Sequence, residues 1–399
     1  MNICPDSPPQ TTVQPTVQDL LAPFKWKLND DGETYTITGA KDEAIQTADI
    51  PYGVTVIGAE AFKKCTALES INIPDSVTSI GARAFMRCTS LASIMIPNSV
   101  TSIGEATFWD CSSLTSINFP DNITSISRAI CHGCHSLPGV IVPNSVTFIG
   151  DSAFYGCDSL TSINIPNGVS LIGDSTFWGC QSLTNINLPD GITSIGKWAF
   201  AFCTSLTAIH IHDGVTSIGE GAFYQCESLA SIAIPDSVIS IGDSAFATHT
   251  HVQLLGNNQS YVMTDNCLID AQTRTLKWGC AESIIPVDGS ITSIGAFAFE
   301  HCKTLVSITI PSGVTLIGDS AFVACTSLAS ITIPDSVISI EEDAFYGCQS
   351  LVSVTIPNSV TTIGDYAFDE CTALKEARLP KHTELGYQCF PDTCEIIRY

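Results

Sequence analysis

The chain is short of positive charge. Its 399 residues hold 16 Lys and Arg against 40 Asp and Glu, a formal net charge of −24. Grip on a phosphate backbone or an anionic lipid surface needs clustered cations, so the composition argues against both. No run of 18 apolar residues occurs, so no membrane-spanning helix is expected. The nucleophile elbow, the P-loop and the dinucleotide-binding fingerprint are absent. The G-x-rich calcium pattern of some solenoids, G-G-x-G-x-D, is absent too. The start, "MNICPDSPPQTTVQPTVQDLLAPF", has no basic n-region and no apolar h-region. No secretory signal is expected there, and on that ground the chain as given reads as cytoplasmic.

Apolar mass is what the chain has in plenty. Hydrophobic residues make up 45%, including 18 Phe, which calls for an ordered protein with a large core. Cysteine is abundant as well, at 18 residues. In a secreted protein that number suggests disulfides, and inside a cell it suggests metal, catalysis or packing. The spacing of the cysteines decides between these.

They recur every 23 residues, at Cys65, Cys88, Cys111, Cys134, Cys157, Cys180, Cys203 and Cys226, and again from Cys302 to Cys394. Proline keeps the same beat, as at Pro51, Pro74 and Pro97, and Phe stands three residues before most of these cysteines, as at Phe62, Phe85 and Phe108. A fixed period in this range marks a solenoid, whose units bury their apolar edges only by stacking. In the unit from Leu68 to Cys88, "LESINIP" alternates so that Ile71 and Ile73 point inward and Asn72 outward. Pro74 ends that strand. "VTSIG" gives a second short strand with Val77 and Ile80 inward. Gly81 is expected to supply a positive φ. "ARAFMRC" reads as a short helical or 3-10 turn, and the acid that often follows the glycine, such as Asp151 or Asp174, reads as its N-cap.

The fold expected is one elongated repeat solenoid, α+β but mostly β: a right-handed leucine-rich repeat stack. Its divisions are a flexible Pro/Thr/Gln-rich leader at 1–23, an N-terminal capping hairpin at 24–44, an array at 45–250, an inserted β-hairpin at 251–286, a second array at 287–379 and a degenerate C-terminal cap at 380–399. In the cap, Gly386 and Pro391 fall where other copies carry Ile and Phe. The units "SLASIMIPNSVTSIGEATFWDC" (Ser90 to Cys111) and "SLASITIPDSVISIEEDAFYGC" (Ser327 to Cys348) resemble the BspA-like leucine-rich repeats. That resemblance implies a cell-surface or secreted adhesion or scaffolding protein. It fixes fold better than function.

Each chemical motif also has a structural reading. "CHGCH" (Cys131 to His135) matches a c-type haem attachment signature, yet Cys134 is a rung of the ladder and Cys131 stands in a Phe slot, with Ile130 in an Ala slot and Ser127 in a Gly slot. It reads as one worn copy whose rung packs less well, with His132 and His135 facing out. The ladder thiols read as free and buried, packing as small apolar groups. Cys4, Cys267, Cys280 and Cys389 lie off the ladder, and the sequence offers no partner for them. His210 with His212, and His249 with His251, have metal-compatible spacing but no further ligand, and they read as surface residues. Acidic rows follow from the repeat and need no calcium. Asn122 and Asn258 begin glycosylation sequons. No cofactor is expected, and no catalysis, since a solenoid lacks a deep enclosed pocket.

The outward slot between the two inward strand residues reads Asn72, Met95, Asn118, Ile141, Asn164, Asn187 and His210, then Thr309, Thr332, Thr355 and Arg378. A serine column runs beside it. This polar, short-chained, nearly uncharged face is the candidate recognition strip, and its irregular rungs, Met95, Ile141, His210 and Arg378, would supply register. The expected function is a non-enzymatic protein-interaction or adhesion module. The alternatives are an intracellular scaffold subunit and, further off, a glycan-binding or ice-binding solenoid.

Overall fold

The computed structural model describes residues 16–399. One step of 23 residues in sequence is one step in the stack. Ser79 and Ile80 pair in parallel with Ser102 and Ile103, and Thr47–Asp49 pairs in parallel with Ser70–Asn72. The unit's two strands thus build two parallel ladders. Ile71, Ile73, Val77 and Ile80 are buried, while Asn72 is exposed. The alternation is that of a strand with one wet face.

The third side of each coil is not helical. Glu60 and Lys64 have φ of 59° and 64°, and Arg83 and Arg87 have 57° and 62°. A left-handed residue at every fourth position stops any run of i to i+4 bonds. The backbone bonds between coils instead: Glu60 N donates to Ala82 O at 2.9 Å, Phe62 N to Ala84 O at 2.7 Å and Lys64 N to Met86 O at 2.7 Å. Among the described residues the one α-helical segment is Val17–Leu20, capped by Thr16.

Two local expectations need correction. Gly81 does not adopt a positive φ; that conformation falls on Arg83. Glycine is required because coils touch there. A Cβ on Gly81 would lie 2.4 Å from the Ala59 nitrogen, and one on Gly104 would lie 2.3 Å from the Ala82 nitrogen. The acid after the glycine caps no helix of its own. At Asp151 and Asp174 it reaches forward one coil: Asp174 N donates to Asp151 Oδ1 at 2.9 Å, and Lys197 N to Asp174 Oδ1 at 2.7 Å.

Two files of side chains fill the core. The phenyl rings stack face to face, Phe62 on Phe85 at 5.4 Å and Phe85 on Phe108 at 5.6 Å, and again from Phe299 to Phe368 at 4.9 to 5.1 Å. Each fully buried phenyl contributes about 1.5–3 kcal/mol. Beside them run the cysteines. Within each array, from Cys88 to Cys226 and from Cys325 to Cys371, the ladder thiols donate to a carbonyl 26 residues upstream: Cys88 Sγ to Phe62 O, Cys111 Sγ to Phe85 O and Cys203 Sγ to Phe177 O, all at 3.1 Å. The described cysteines are free thiols. Each of these carbonyls also accepts from the backbone N–H three residues on, as Phe85 O does from Cys88 N at 3.1 Å, so the thiol is a second donor on a buried oxygen.

The ends and the middle depart from the plain stack. At the start, Phe24–Leu28 pairs antiparallel with Tyr35–Ala40, which pairs in parallel with Val54–Ile57. Order reaches into the segment expected to be a flexible leader, because Leu21 is buried in the core beneath the helical turn. The leader's first 15 residues lie outside the described residues. At the other end, Phe390 continues the phenyl file, stacked on Phe368 at 5.2 Å. Glu384–Leu385 extends the second-strand ladder. The last coil is therefore regular but one residue shorter, and counting by 23 placed Gly386 and Pro391 in the wrong slots.

The segment 251–286, expected as a hairpin inserted in the stack, contains a hairpin and joins the two arrays. His251–Leu254 adds to the first-strand ladder beside Ser231–Ile234. Tyr261–Thr264 and Cys267–Asp270 form a tight hairpin whose turn residues, Asp265 and Asn266, both have positive φ. Thr275–Trp278 pairs antiparallel with Cys267–Asp270 and in parallel with Ser293–Ile294, which restarts the stack. Strand alternation sends Leu268 into the first core and Cys267 and Ile269 into the second.

Candidate functional site

The first-strand face is solvent-exposed along the stack. From the segment Leu91–Pro97 to the segment Leu351–Pro357, its strand segments contain no Asp, Glu, Lys or Arg, in a chain of net charge −24. Asn72, Asn187, His210, Thr309, Thr332 and Thr355 are exposed on it. Met95 and Ile141 project furthest, at 71% and 79% exposure. Arg378, one strand before the end of the ladder, donates to Glu376 at 2.6 Å.

Two of the expected contact residues serve the scaffold instead. Asn118 Nδ2 donates to Ile96 O at 2.9 Å, while Asn118 Oδ1 accepts from Ile96 N at 2.8 Å. Asn164 holds the backbone of Val142 in the same way, at 2.8 and 2.9 Å. Their amides imitate a peptide group and close the ladder behind Met95 and Ile141. Each projecting apolar residue is thus seated on a rung clamped by the asparagine of the next coil.

Sequence reasoning missed a second file. On the turn side, Trp109, His132, Tyr155 and Trp178 stack in succession with ring centroids 4.0, 4.4 and 4.2 Å apart. His132 is therefore half enclosed rather than simply outward. Burial between the two rings lowers its pKa from the usual imidazole value, against the raising effect of Asp110. The 23-residue spacing of these aromatics was the available signal. His135 faces Asp158 across one coil at 2.9 Å.

The histidine pairs point elsewhere than at each other. His212 Nε2 lies 2.7 Å from Pro189 O and His249 Nε2 lies 3.3 Å from Cys226 O. Among the described residues no three His, Cys, Asp or Glu side chains come together as metal ligands would. In the haem-like stretch both Cys131 and Cys134 turn into the core and are fully buried. The rung is closed to solvent, with Ile130 fully buried in the slot where other copies carry Ala. Cys267, Cys280 and Cys389 are buried free thiols, while Cys4 lies outside the described residues. Of the sequon asparagines, Asn122 donates to Asn98 O, and Asn258 is bound to Pro235 O and Val238 O.

A cleft of about 620 Å³ opens at the joint, lined in part by Tyr224, Thr250, Trp278, Glu300, His301 and Cys302. Tyr224 Oη donates to Glu300 at 3.2 Å across the joint, and Ser244 donates to the other carboxylate oxygen. Lys277 pairs with Asp243, and Trp278 Nε1 donates to Ala247 O at 3.2 Å. These contacts latch the two arrays together.

Comparison with known proteins agrees with this geometry. The BspA type leucine rich repeat region, in six copies, matches residues 40–160, 125–253 and 279–398. A leucine-rich repeat protein from Bacteroides ovatus is 28% identical with a TM-score of 0.60, over 94% of this chain and 98% of that one. A leucine rich cell surface protein from Faecalibacterium prausnitzii is also 28% identical, with a TM-score of 0.58 over 99% and 95% of the two chains. The pneumococcal vaccine antigen PcpA shares the fold alone, at 17% identity and a TM-score of 0.53 over 94% and 86%. No curated protein sequence matches the chain. Repeat proteins of this kind are generally interaction or adhesion modules. Among the described residues no helix is long and apolar enough to cross a membrane. With the repeat matched over most of its length, the chain belongs to the BspA-type leucine-rich repeat family.

Proposed function

We propose that this chain is a non-enzymatic binding module that holds a largely uncharged protein segment along its first-strand face. The observation that carries the reading is electrostatic. In a chain of net charge −24, the regular strand segments of one face carry no charged residue from Leu91–Pro97 to Leu351–Pro357, with Glu282 at the joint the exposed exception. Solubility alone would not ask for that, since charge elsewhere already supplies it. A neutral face lets a partner approach without desolvating ions. Its Ser, Thr and Asn side chains are short, so ordering them costs little conformational entropy. Met95 and Ile141, with Asn72, Asn187, His210, Thr309, Thr332, Thr355 and Arg378 around the strip, supply the distinctive contacts.

Placing a charge on the face, at the projecting Ile141 or at Thr332 in the second array, tests this. Ile141→Lys and Thr332→Lys should each weaken capture of the chain's binding partners at least tenfold. Ser152→Lys, on the turn side, should leave the same partners bound. Equal retention by all three variants, or equal loss by all three, would refute the assignment to this face.

A further inference from the structure

We propose that Cys131 and Cys134 are an oxidisable pair, which closes to a disulfide when the chain meets a small-molecule disulfide such as oxidised glutathione. The pair arises because the fourth coil carries cysteine where its neighbours carry phenylalanine. Cys131 and Cys134 both face the core and are fully buried. Cys134 N donates to Cys131 O at 3.2 Å, so the two residues are the first and last of one tight turn. Turn ends lie within about 7 Å of each other, which meets the Cα separation a disulfide requires. Both side chains enter the same core from the two ends of that one turn.

The rest of the ladder cannot close as readily. Ladder neighbours are related by a translation of one rung, about 4.7–4.9 Å, and their side chains run parallel. Their Cβ atoms are then separated by that full rung, outside the range of about 3.5–4.5 Å that disulfides use. Cys348 and Cys371 illustrate the limit: they stand one rung apart, and each thiol donates to a carbonyl of the preceding coil, Phe322 O and Phe345 O, rather than to the other thiol. Cys131 and Cys134 are joined by a turn instead of a rung, and the missing phenyl ring leaves their side chains free to approach.

The step is ordinary thiol–disulfide exchange. The Cys131 thiolate attacks one sulfur of the small disulfide and expels one thiolate. The Cys134 thiolate then attacks the Cys131 sulfur of the mixed disulfide and expels the second. Two cysteine S–H bonds give up two protons and two electrons, and the small disulfide becomes two thiols. The Cys134 side chain favours the Cys131 thiolate and burial opposes it, with a net upward shift, so Cys131 reacts only once the coil opens. Closure ends the donation from Cys134 Sγ to Phe108 O at 3.2 Å, but the donation from Cys157 Sγ to Cys131 O survives because it uses the backbone. Burial confines the reaction to folding or to local opening of the coil.

The full chain refolded in a glutathione redox buffer, then alkylated and mapped by mass spectrometry, gives the test. The peptide holding Cys131 and Cys134 should be two hydrogens lighter and unalkylated, with Cys88, Cys180, Cys325 and Cys371 alkylated. A second chain with Ile130→Ala and Cys131→Phe restores the regular coil, so it should fold and contain one disulfide fewer. Alkylation of Cys131 and Cys134 under conditions that oxidise free dithiols in solution would overturn the proposal. So would closure of a rung-to-rung pair first, or an unchanged disulfide count in the restored chain.

Discussion

Cys111 Sγ donates to the carbonyl oxygen of Phe85 at 3.1 Å, 26 residues upstream and one coil away. The same bond recurs along both arrays, so cysteine is retained here as a donor that fits a methyl-sized space. Cys111→Ala should cost about 1–2 kcal/mol, combining a small cavity with the loss of a second donor on a carbonyl that keeps its bond from Cys88 N. Urea denaturation of the variant would measure it. A change below a few tenths of a kcal/mol would mean that the bond is incidental.

The thiols also set a pH limit. Burial raises Cys65 from an ordinary 9.0 to about 11, with Glu43 and Asp42 adding to the shift, and burial raises Cys226 to about 12. The protonated form is thus favoured in the folded state. Stability from these groups is complete below pH 9, where the unfolded thiols also keep their protons. It is lost as pH rises towards 11 and 12, because the unfolded state ionises first. Unfolding by alkali should begin near pH 9 and steepen above it, as read by far-ultraviolet dichroism. A flat profile to pH 11 would contradict this.

Gly104 and Gly139 separate two uses of the smallest residue. A Cβ at Gly104 would meet the Ala82 nitrogen at 2.3 Å, whereas at Gly139 it would find only Ser162 O at 3.6 Å. Gly104→Ala should destabilise by at least about 1–3 kcal/mol, the usual cost of overpacking. Gly139→Ser, which restores the residue most other copies carry, should be neutral or mildly stabilising. Thermal melts of the two variants would show the contrast.

Glu300 should govern whether the arrays unfold together. It receives hydroxyl donors from Tyr224 and Ser244 on the other side of the joint. Glu300→Ala strands both hydroxyls, at about 1–3 kcal/mol, and weakens the link between two otherwise separate cores. Calorimetry should resolve two transitions where the parent shows one, as expected of a stack held by nearest-neighbour terms. A single undivided transition would show that the shared strand Cys267–Asp270 suffices.

The stack was legible from sequence because its period is a physical fact about burial: Ile71, Ile80, Phe85 and Cys88 recur where the core needs them. The turn was not. Arg83 and Arg87 adopt left-handed conformations that nothing in their chemistry announces, and the ladder between coils forces them there. Gly81 was read through φ when its neighbour Ala59 was the cause. Asn118 looks like a solvent-facing residue until its amide is seen closing on Ile96. The joint hid because Asp265 and Asn266 make a tight turn without glycine. The last coil hid because one deleted residue shifts every later count.

The turn-side bonds described above all run one way. From Glu60, Phe62 and Lys64 onward, N–H groups point towards the C-terminal end of the stack and carbonyls towards its start. Aligned peptide groups sum to an axial macrodipole, positive at the end its N–H groups face. The side chains are distributed as that field favours. The first two coils carry Lys63, Lys64, Arg83 and Arg87 on this side, with Glu60 their only acid. The coils of 341–348 and 364–371 carry Glu341, Glu342, Asp343, Asp365, Asp369 and Glu370 and no basic residue. The solenoid thus behaves electrically like one very wide helix with its poles reversed, and its two ends are neutralised by opposite charges.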